Sequence, residues 1–450
     1  MKGQPNILLI MTDQQRADSL GYAGGPQGDT PNLDACARSG VIFENAYSSS
    51  TTCVPARVSL LTGLLPNRTP AVPNRFALQE GFWTIAHAFR TAGFDTAIFG
   101  KMHMLPMRAD HGFERMHLCE HLRAGYSRGE LDDYGLFLKN AGRSDLRTHR
   151  PAQATVFAHP QEFHPTHWIT DHALEFLASR TSSRPYFAVV SYAHPHTPYD
   201  PPEPYASAYR PEDQTLPQSG IEINRDLPQP FLETIYNLKP DPAFPHQRTA
   251  RKSELHVRSV LASIRALIKQ IDDGVGRLLQ HIDLANTIVF FTSDHGDFGG
   301  RRGFLGKVPW IPFDDLAKVP FFAFGAGIQE GQRIATPVQS FDYVPTALEL
   351  AGLDFPFAER DSISLAPVLR AEGRAPVRPV FCETKTGWPM VRRGKYKHIW
   401  HDYSDTHALF DLDADPIESV NLSNDPAHAE LLEENRKLIR AVLAAPILGM

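Results

Sequence analysis

Four continuous apolar runs, each cut short by polar residues, constrain this chain more than any other feature. They are residues 6–12 (NILLIMT), 186–192, 287–292 and 319–324. A run without polar alternation reads as a strand buried on both faces, not as one face of an open antiparallel sheet. Helical patterns lie between the runs. Residues 84–91 (TIAHAFRT) end just before Gly93, a residue suited to a helix C-cap, and lead into a further strand at 95–99. Residues 259–282 and 342–350 also carry helical spacing. Strands alternating with helices predict an α/β fold with a mostly parallel central sheet sandwiched by helices.

From about residue 379 the texture changes. Short alternating segments at 380–384, 390–401 and 408–412 predict a small antiparallel sheet, and 428–443 reads as an amphipathic helix packed back on the body. The expected division is a catalytic domain over 1–375 and a C-terminal subdomain over 376–450. The stretch 195–245, rich in proline and polar residues, reads as a long loop over the sheet.

The bulk numbers exclude some functions. A formal net charge of −6 disfavours nucleic acid as a partner, since such binders carry a basic excess. No apolar run approaches the roughly 18 residues that span a bilayer, so no membrane segment is expected. The first apolar stretch is short and meets Asp13 at once, unlike a secretory signal. A cytoplasmic location is expected, or a periplasmic one if a leader has been removed. A homo-oligomer is left open. The cysteines, Cys36, Cys53, Cys119 and Cys382, are too widely spaced for a zinc motif or a dense disulfide framework. Three read as small buried apolar residues, and Cys53 stands apart.

Polar clusters follow the strands where an open α/β sheet places its ligands. Asp13-Gln14 follows the first strand, Lys101-Met102-His103 the 95–99 strand, His194-Pro195-His196 the third, and Asp294-His295 the fourth. Asp13-Gln14 alone is better explained as a turn or a helix cap, and Asp294-His295 alone has the same alternative. Placed at two strand ends, Asp13, Gln14, Asp294 and His295 offer mostly oxygen ligands and one imidazole. That set suits a divalent cation such as Ca²⁺ or Mn²⁺ better than zinc.

Residues 53–63 (CVPARVSLLTG) decide between readings. Pro55 suits a first helical turn, which puts Cys53 at a helix N-terminus, where unpaired N–H groups favour an anion. Arg57, one turn on, returns to the same site. The string matches C-x-P-x-R followed by L-T-G, and with it the chain resembles the sulfatase family of the alkaline phosphatase superfamily. The resemblance continues through Ser293-Asp294-His295-Gly296 to Gly394-Lys395-Tyr396-Lys397 and Phe410-Asp411-Leu412. It is of the bacterial type near arylsulfatases, choline sulfatases and phosphonate monoester hydrolases.

The resemblance implies an alkaline-phosphatase-like fold, one divalent metal, and conversion of Cys53 to formylglycine by a formylglycine-generating enzyme. By it, Asp13, Gln14, Cys53, Asp294 and His295 hold the metal. Lys101 and His103 match a G-K-x-H element, His196 a P-H-x-P histidine, and Lys307 a later lysine on the ester group. Many sulfatases carry two aspartates where this chain has Asp13-Gln14, and asparagine where it has His295. The implied activity is hydrolysis of an organic sulfate monoester, with a small molecule or saccharide as the alcohol. The alternative is a phosphonate monoester or phosphodiester at the same site. In this scheme the residue-53 hydrate attacks, Arg57, Lys101 and Lys307 oppose the developing charge, His103 is a base and His196 an acid. His194 reads as an ordinary structural histidine. Residues 108–150, with His111, Arg115, Arg123 and Arg128, could rim a second anion site, but a solvated loop accounts for the same charges more simply.

Overall fold

The computed structural model describes residues 3–26, 28–70, 78, 81–120, 130–144, 156–181, 183–218, 221–237, 253–356, 361–382 and 387–447. The first half contributes β1 (Asn6–Asp13), α1 (Pro31–Arg38), β2 (Gly40–Phe43), β3 (Ala46–Tyr47), α2 (Cys53–Thr62), α3 (Ile85–Thr91), β4 (Asp95–Gly100), β5 (Arg115–Leu118), α4 (Asp133–Asn140), α5 (Pro165–Ala178) and β6 (Tyr186–Pro195). Then follow β7 (Thr287–Ser293), β8 (Lys318–Val319), β9 (Phe321–Gly325), β10 (Gln332–Ile334) and β11 (Val338–Gln339). The last strands are β12 (Val380–Cys382), β13 (Met390–Arg393), β14 (Tyr396–His401) and β15 (Thr406–Asp411).

Eight strands form the central sheet in the order β10-β2-β9-β7-β1-β6-β4-β5. β1 lies inside it and pairs in parallel with both β6 and β7. Its side chains alternate between two cores. Ile7, Leu9 and Met11 pack with Val54 and Val58 of α2 and Phe89 of α3. Leu8 and Ile10 pack with Leu33 of α1, Ile169 of α5 and Ile271 of the long helix Glu254–Leu279. Both faces are therefore covered, which is why the run carries no polar alternation. Each such side chain contributes about 1.5–3 kcal/mol of burial free energy.

The run at 319–324 differs from its expectation. Pro320 lacks the N–H a ladder needs, and the chain divides there into two strands of different sheets. β8 joins a three-stranded sheet in the order β11-β3-β8, and β9 enters the central sheet antiparallel to β7. β2 is also antiparallel to β9. The sheet is thus mostly parallel with one reversed strand inside it. The 195–245 stretch holds short helices at Tyr205–Ala208, Ile221–Asn224 and Gln229–Asn237, while 219–220 and 238–245 fall outside the described residues.

β12 to β15 form the expected antiparallel sheet, in sequential order. One face packs on Phe313, Leu316 and Trp388. On the other, Val391 and Trp400 meet Ile439 of the terminal helix Ala429–Leu443. Among the described residues no helix is long and apolar enough to cross a membrane.

Candidate active site

The parallel register sets the site. Thr12 pairs with Ser293, so Asp13 and Asp294 emerge side by side from β1 and β7. On the other flank Asp13 is level with Pro195 of β6. β4 ends beside β6, and the Lys101 N–H donates to the Ser191 carbonyl at 2.9 Å. Four strand ends thus form one row. Cys53 is the first residue of α2, a helix buried along its whole length, and Arg57 follows one turn later.

Each carboxylate in the row is divided between two neighbours. Asp294 Oδ2 accepts from Arg57 Nε at 2.9 Å, and Asp13 Oδ2 accepts from Arg57 Nη2 at 3.2 Å and from Lys101 Nζ. The Oδ1 atoms face inward. Asp13 Oδ1 lies 3.8 Å from both Cys53 Sγ and His295 Nε2, and Asp294 Oδ1 lies 3.7 Å from His295 Nε2. Donor atoms of Asp13, Cys53, Asp294 and His295 all lie within 4.8 Å of one another. His295 Nδ1 donates to the Gly296 carbonyl at 2.9 Å, which leaves the Nε2 lone pair turned into the cluster. Two carboxylates, an imidazole nitrogen and the residue-53 atom make a donor set that fits one hard divalent cation.

Lys307 completes the ring. Its Nζ lies 2.7 Å from Cys53 Sγ and 3.1 Å from His295 Nε2. Burial alone raises a thiol pKa, but Lys101, Lys307 and His295 overcome it and hold Cys53 well below the ordinary range. The position stabilises negative charge on the atom carried by residue 53. Arg57, Lys101 and Lys307 are three cations facing the two carboxylates of Asp13 and Asp294, so the third positive charge is left to residue 53 or, where residue 53 is neutral, to a bound anion.

His103 is buried beside this ring. Burial and the Lys101 charge lower its pKa to about 3, so it is a neutral imidazole and a proton acceptor at neutral pH. Its backbone takes a left-handed turn, φ 64°, held by Glu120, which accepts the Met102 and His103 N–H groups at 3.1 and 2.7 Å. His196 is buried, bonds the Thr197 carbonyl through Nδ1 at 2.9 Å, and lies close enough to Asp13 to help lower that carboxyl's pKa. His194 sits elsewhere, stacked on His164 with ring centroids 4.7 Å apart. His164, His194 and Asp200 also cluster. However, His164 Nδ1 accepts the Thr166 N–H at 3.3 Å, which puts its proton on Nε2 and makes it a donor, not a ligand.

Gln14 enters the site differently from the other proposed ligands. Its N–H donates to Asp294 Oδ1 at 3.1 Å, and its Nε2 donates to Asp297 Oδ2 at 2.6 Å. Asp297 and Glu120 are the site residues that sequence reasoning missed. For Asp297 a signal existed, the Asp-x-Gly pattern of 297–299, which favours a side chain accepting a local backbone N–H. Of the rim candidates, the two that are described do not gather at the site. His111 is buried, and Arg115 stacks over Phe176 at the far end of β5. Arg123 and Arg128 lie outside the described residues.

A family model described as Sulfatase matches residues 5–353, which include every strand end that builds the ring. The chain belongs to the sulfatase family. It is 29% identical to an arylsulfatase of Clostridium perfringens over 97% of this chain and 94% of that protein. It is 32% identical to a choline-sulfatase of Rhizobium meliloti over 94% of this chain and 83% of the relative. A solved phosphonate monoester hydrolase of Agrobacterium radiobacter shares the fold, with a TM-score of 0.82, 23% identity, and coverage of 98% and 96%. This sulfatase-family hydrolase therefore has the alkaline-phosphatase-like architecture: a mostly parallel sheet with helices and a small antiparallel sheet beside it.

Proposed function

We propose that this hydrolase cleaves an organic sulfate monoester, saccharide sulfates included, with Cys53 in its formylglycine form as nucleophile and one divalent cation, Ca²⁺ or Mn²⁺, beside it. The position of residue 53 carries the reading: its Sγ is 2.7 Å from Lys307, 3.2 Å from His295 and 3.8 Å from Asp13. The thiol Sγ stands where formylglycine would supply oxygen in place of sulfur for attack. When bound by Asp13, Asp294, His295 and residue 53, the cation supplies positive charge that acidifies an adjacent hydroxyl and polarises the ester. The maturation partner is a formylglycine-generating enzyme acting on residues 53–63.

The chain's own groups do the rest. Lys101, Lys307 and Arg57 oppose charge on the sulfuryl oxygens, and their surplus over Asp13 and Asp294 matches a monoanionic ester. His103, neutral because buried, takes the proton of the second hydroxyl of the residue-53 hydrate, whose collapse to the aldehyde breaks the bond to the transferred group and expels sulfate. His196, anchored through Nδ1 to the Thr197 carbonyl, protonates the leaving oxygen through Nε2. Residues 1–375 form the catalytic unit in this proposal, with 376–450 as its brace.

A second reading, phosphonate monoester hydrolysis, is favoured by the neutral amide at Gln14 where many relatives carry an acid. Turnover of an aryl sulfate and an aryl phosphonate monoester, measured side by side, separates the two. Faster sulfate cleavage is expected, and faster phosphonate cleavage replaces the first reading with the second. Dialysis against a chelator is expected to abolish turnover, and Mn²⁺ or Ca²⁺ to restore it.

A further inference from the structure

Asp297 is buried, at 3% exposure, and its carboxylate gathers donors from three segments. Oδ1 accepts the N–H of Gly299 at 2.6 Å and of Gly306 at 3.0 Å, closing the loop whose next residue is Lys307. Oδ2 accepts from Gln14 Nε2 at 2.6 Å and from the Tyr199 hydroxyl at 3.2 Å. Gln14 follows Asp13, and Tyr199 lies three residues beyond His196. One side chain therefore ties together the segments that present the nucleophile's lysine, the metal-side carboxylate and the leaving-group histidine.

The division of labour between the two oxygens has a chemical consequence. A planar amide has a donor end and an acceptor end, and a carboxylate can pair only with the donor end. With Nε2 of Gln14 bonded to Asp297, its Oε1 is turned away from Asp297. We propose that Asp297 is a positioning residue for the reaction: Oδ1 seats Lys307 by clamping its loop, and Oδ2 fixes which end of the Gln14 amide faces the site. The proposal rests on the sulfatase reading of the ring.

Asp297→Asn separates the two tasks. The asparagine keeps the size of the side chain, and its Oδ1 retains both glycine N–H groups. Its Nδ2 sets a donor against Gln14 Nε2 and the Tyr199 hydroxyl. The hydroxyl can rotate to accept, but Gln14 must turn its amide over. Gln14→Glu in the same chain restores an acceptor facing the new asparagine amide and an oxygen on the other side, and the pair then carries the native net charge. Gln14→Glu alone opposes two carboxylates.

The experiment uses the full chain, made together with a formylglycine-generating enzyme. It measures kcat, KM and melting temperature for the native protein, both single variants and the double variant, with an aryl sulfate. Asp297→Asn is expected to lower kcat/KM by about tenfold or more, mainly through kcat, and the double variant to recover about tenfold over either single one. The double variant is also expected to melt above Gln14→Glu. Asp297→Asn activity within twofold of native overturns the proposal, as does a double variant no better than the product of the two single losses. If Asp297→Asn does not fold, the double variant against Gln14→Glu still decides: higher activity and melting support the proposal, and equal or lower values overturn it. A native protein that carries the aldehyde yet turns over no sulfate sinks the sulfatase reading instead, and the melting comparison then tests the Asp297–Gln14 pairing alone.

Discussion

The strand-end ring and the seam against the C-terminal sheet both bury lysines among carboxylates, yet they match their charges differently. At the seam, fully buried Lys397 lies 2.7 Å from Asp314 and 2.8 Å from Glu418, and the Tyr47 hydroxyl bonds both oxygens of Asp314 at 3.0 Å. Every charge there has an opposite partner. In the ring, Arg57 and Lys101 share Asp13 and Asp294, while Lys307 faces Cys53 and His295. Among the described residues no carboxylate lies within ion-pair distance of Lys307. In the cysteine form that lysine faces the Cys53 sulfur at 2.7 Å, and with the aldehyde at position 53 it is a buried cation without a protein anion, a cost recovered when a substrate anion arrives. Matched burial marks structure, and surplus burial marks a site.

The largest effect expected from this contrast is at Lys307. Lys307→Ala should lower kcat/KM by about 10²- to 10³-fold, the usual loss for one stabilising group on a developing anion, with melting unchanged or raised. A lower melting temperature with intact turnover would break the comparison, because the lysine would then be structural. Steady-state kinetics and thermal melts read both quantities.

Lys397→Met is the converse. Removing one member of a matched buried set should cost about 3–5 kcal/mol of stability, read by urea unfolding, because Asp314 and Glu418 lose the buried cation they share. Turnover per folded molecule should stay within twofold of native. A catalytic loss without a stability loss would move the seam into the site.

The smallest effect sharpens the boundary between the two regions. Glu120 is raised from 4.5 to about 7 by burial, against the opposing pull of the His103 N–H and Lys101. A raised folded pKa means the folded protein holds this proton more tightly than the unfolded chain. The stability it gives is complete below about pH 4.5 and is lost as pH rises through about 7. Native stability should therefore fall relative to Glu120→Gln by roughly 2–3 kcal/mol between pH 5 and pH 8, measured by urea unfolding at each pH. Parallel curves for the two proteins would place Glu120 in ordinary solvent.

The central strands were legible because burial on both faces erases polar alternation, and β1, β4, β6 and β7 all carry that mark. The direction of β9 was not, since an apolar run reads the same in a parallel or an antiparallel position. β2, with four residues, is too short for its period to be read. Asp13, Asp294, His295 and Lys101 were visible as polar residues ending apolar runs, and the string at 53–63 marked Cys53 and Arg57. Glu120 and Asp297 act by accepting backbone N–H groups from other segments, and no spacing along one segment encodes such partners. Gln14 was read as a ligand from its place at a strand end and from the family resemblance, and neither encodes the bond of its amide to Asp297, which lies 283 residues away.

The account depends on what residue 53 has become. The most direct test prepares the protein with graded amounts of formylglycine-generating enzyme and plots kcat against the fraction of chains carrying the aldehyde, counted by mass spectrometry of the Cys53 peptide. The account predicts a straight line through the origin, with Cys53→Ala slower than the fully converted enzyme by about 10⁴-fold or more. Turnover that stays constant while the aldehyde fraction falls to zero would contradict it.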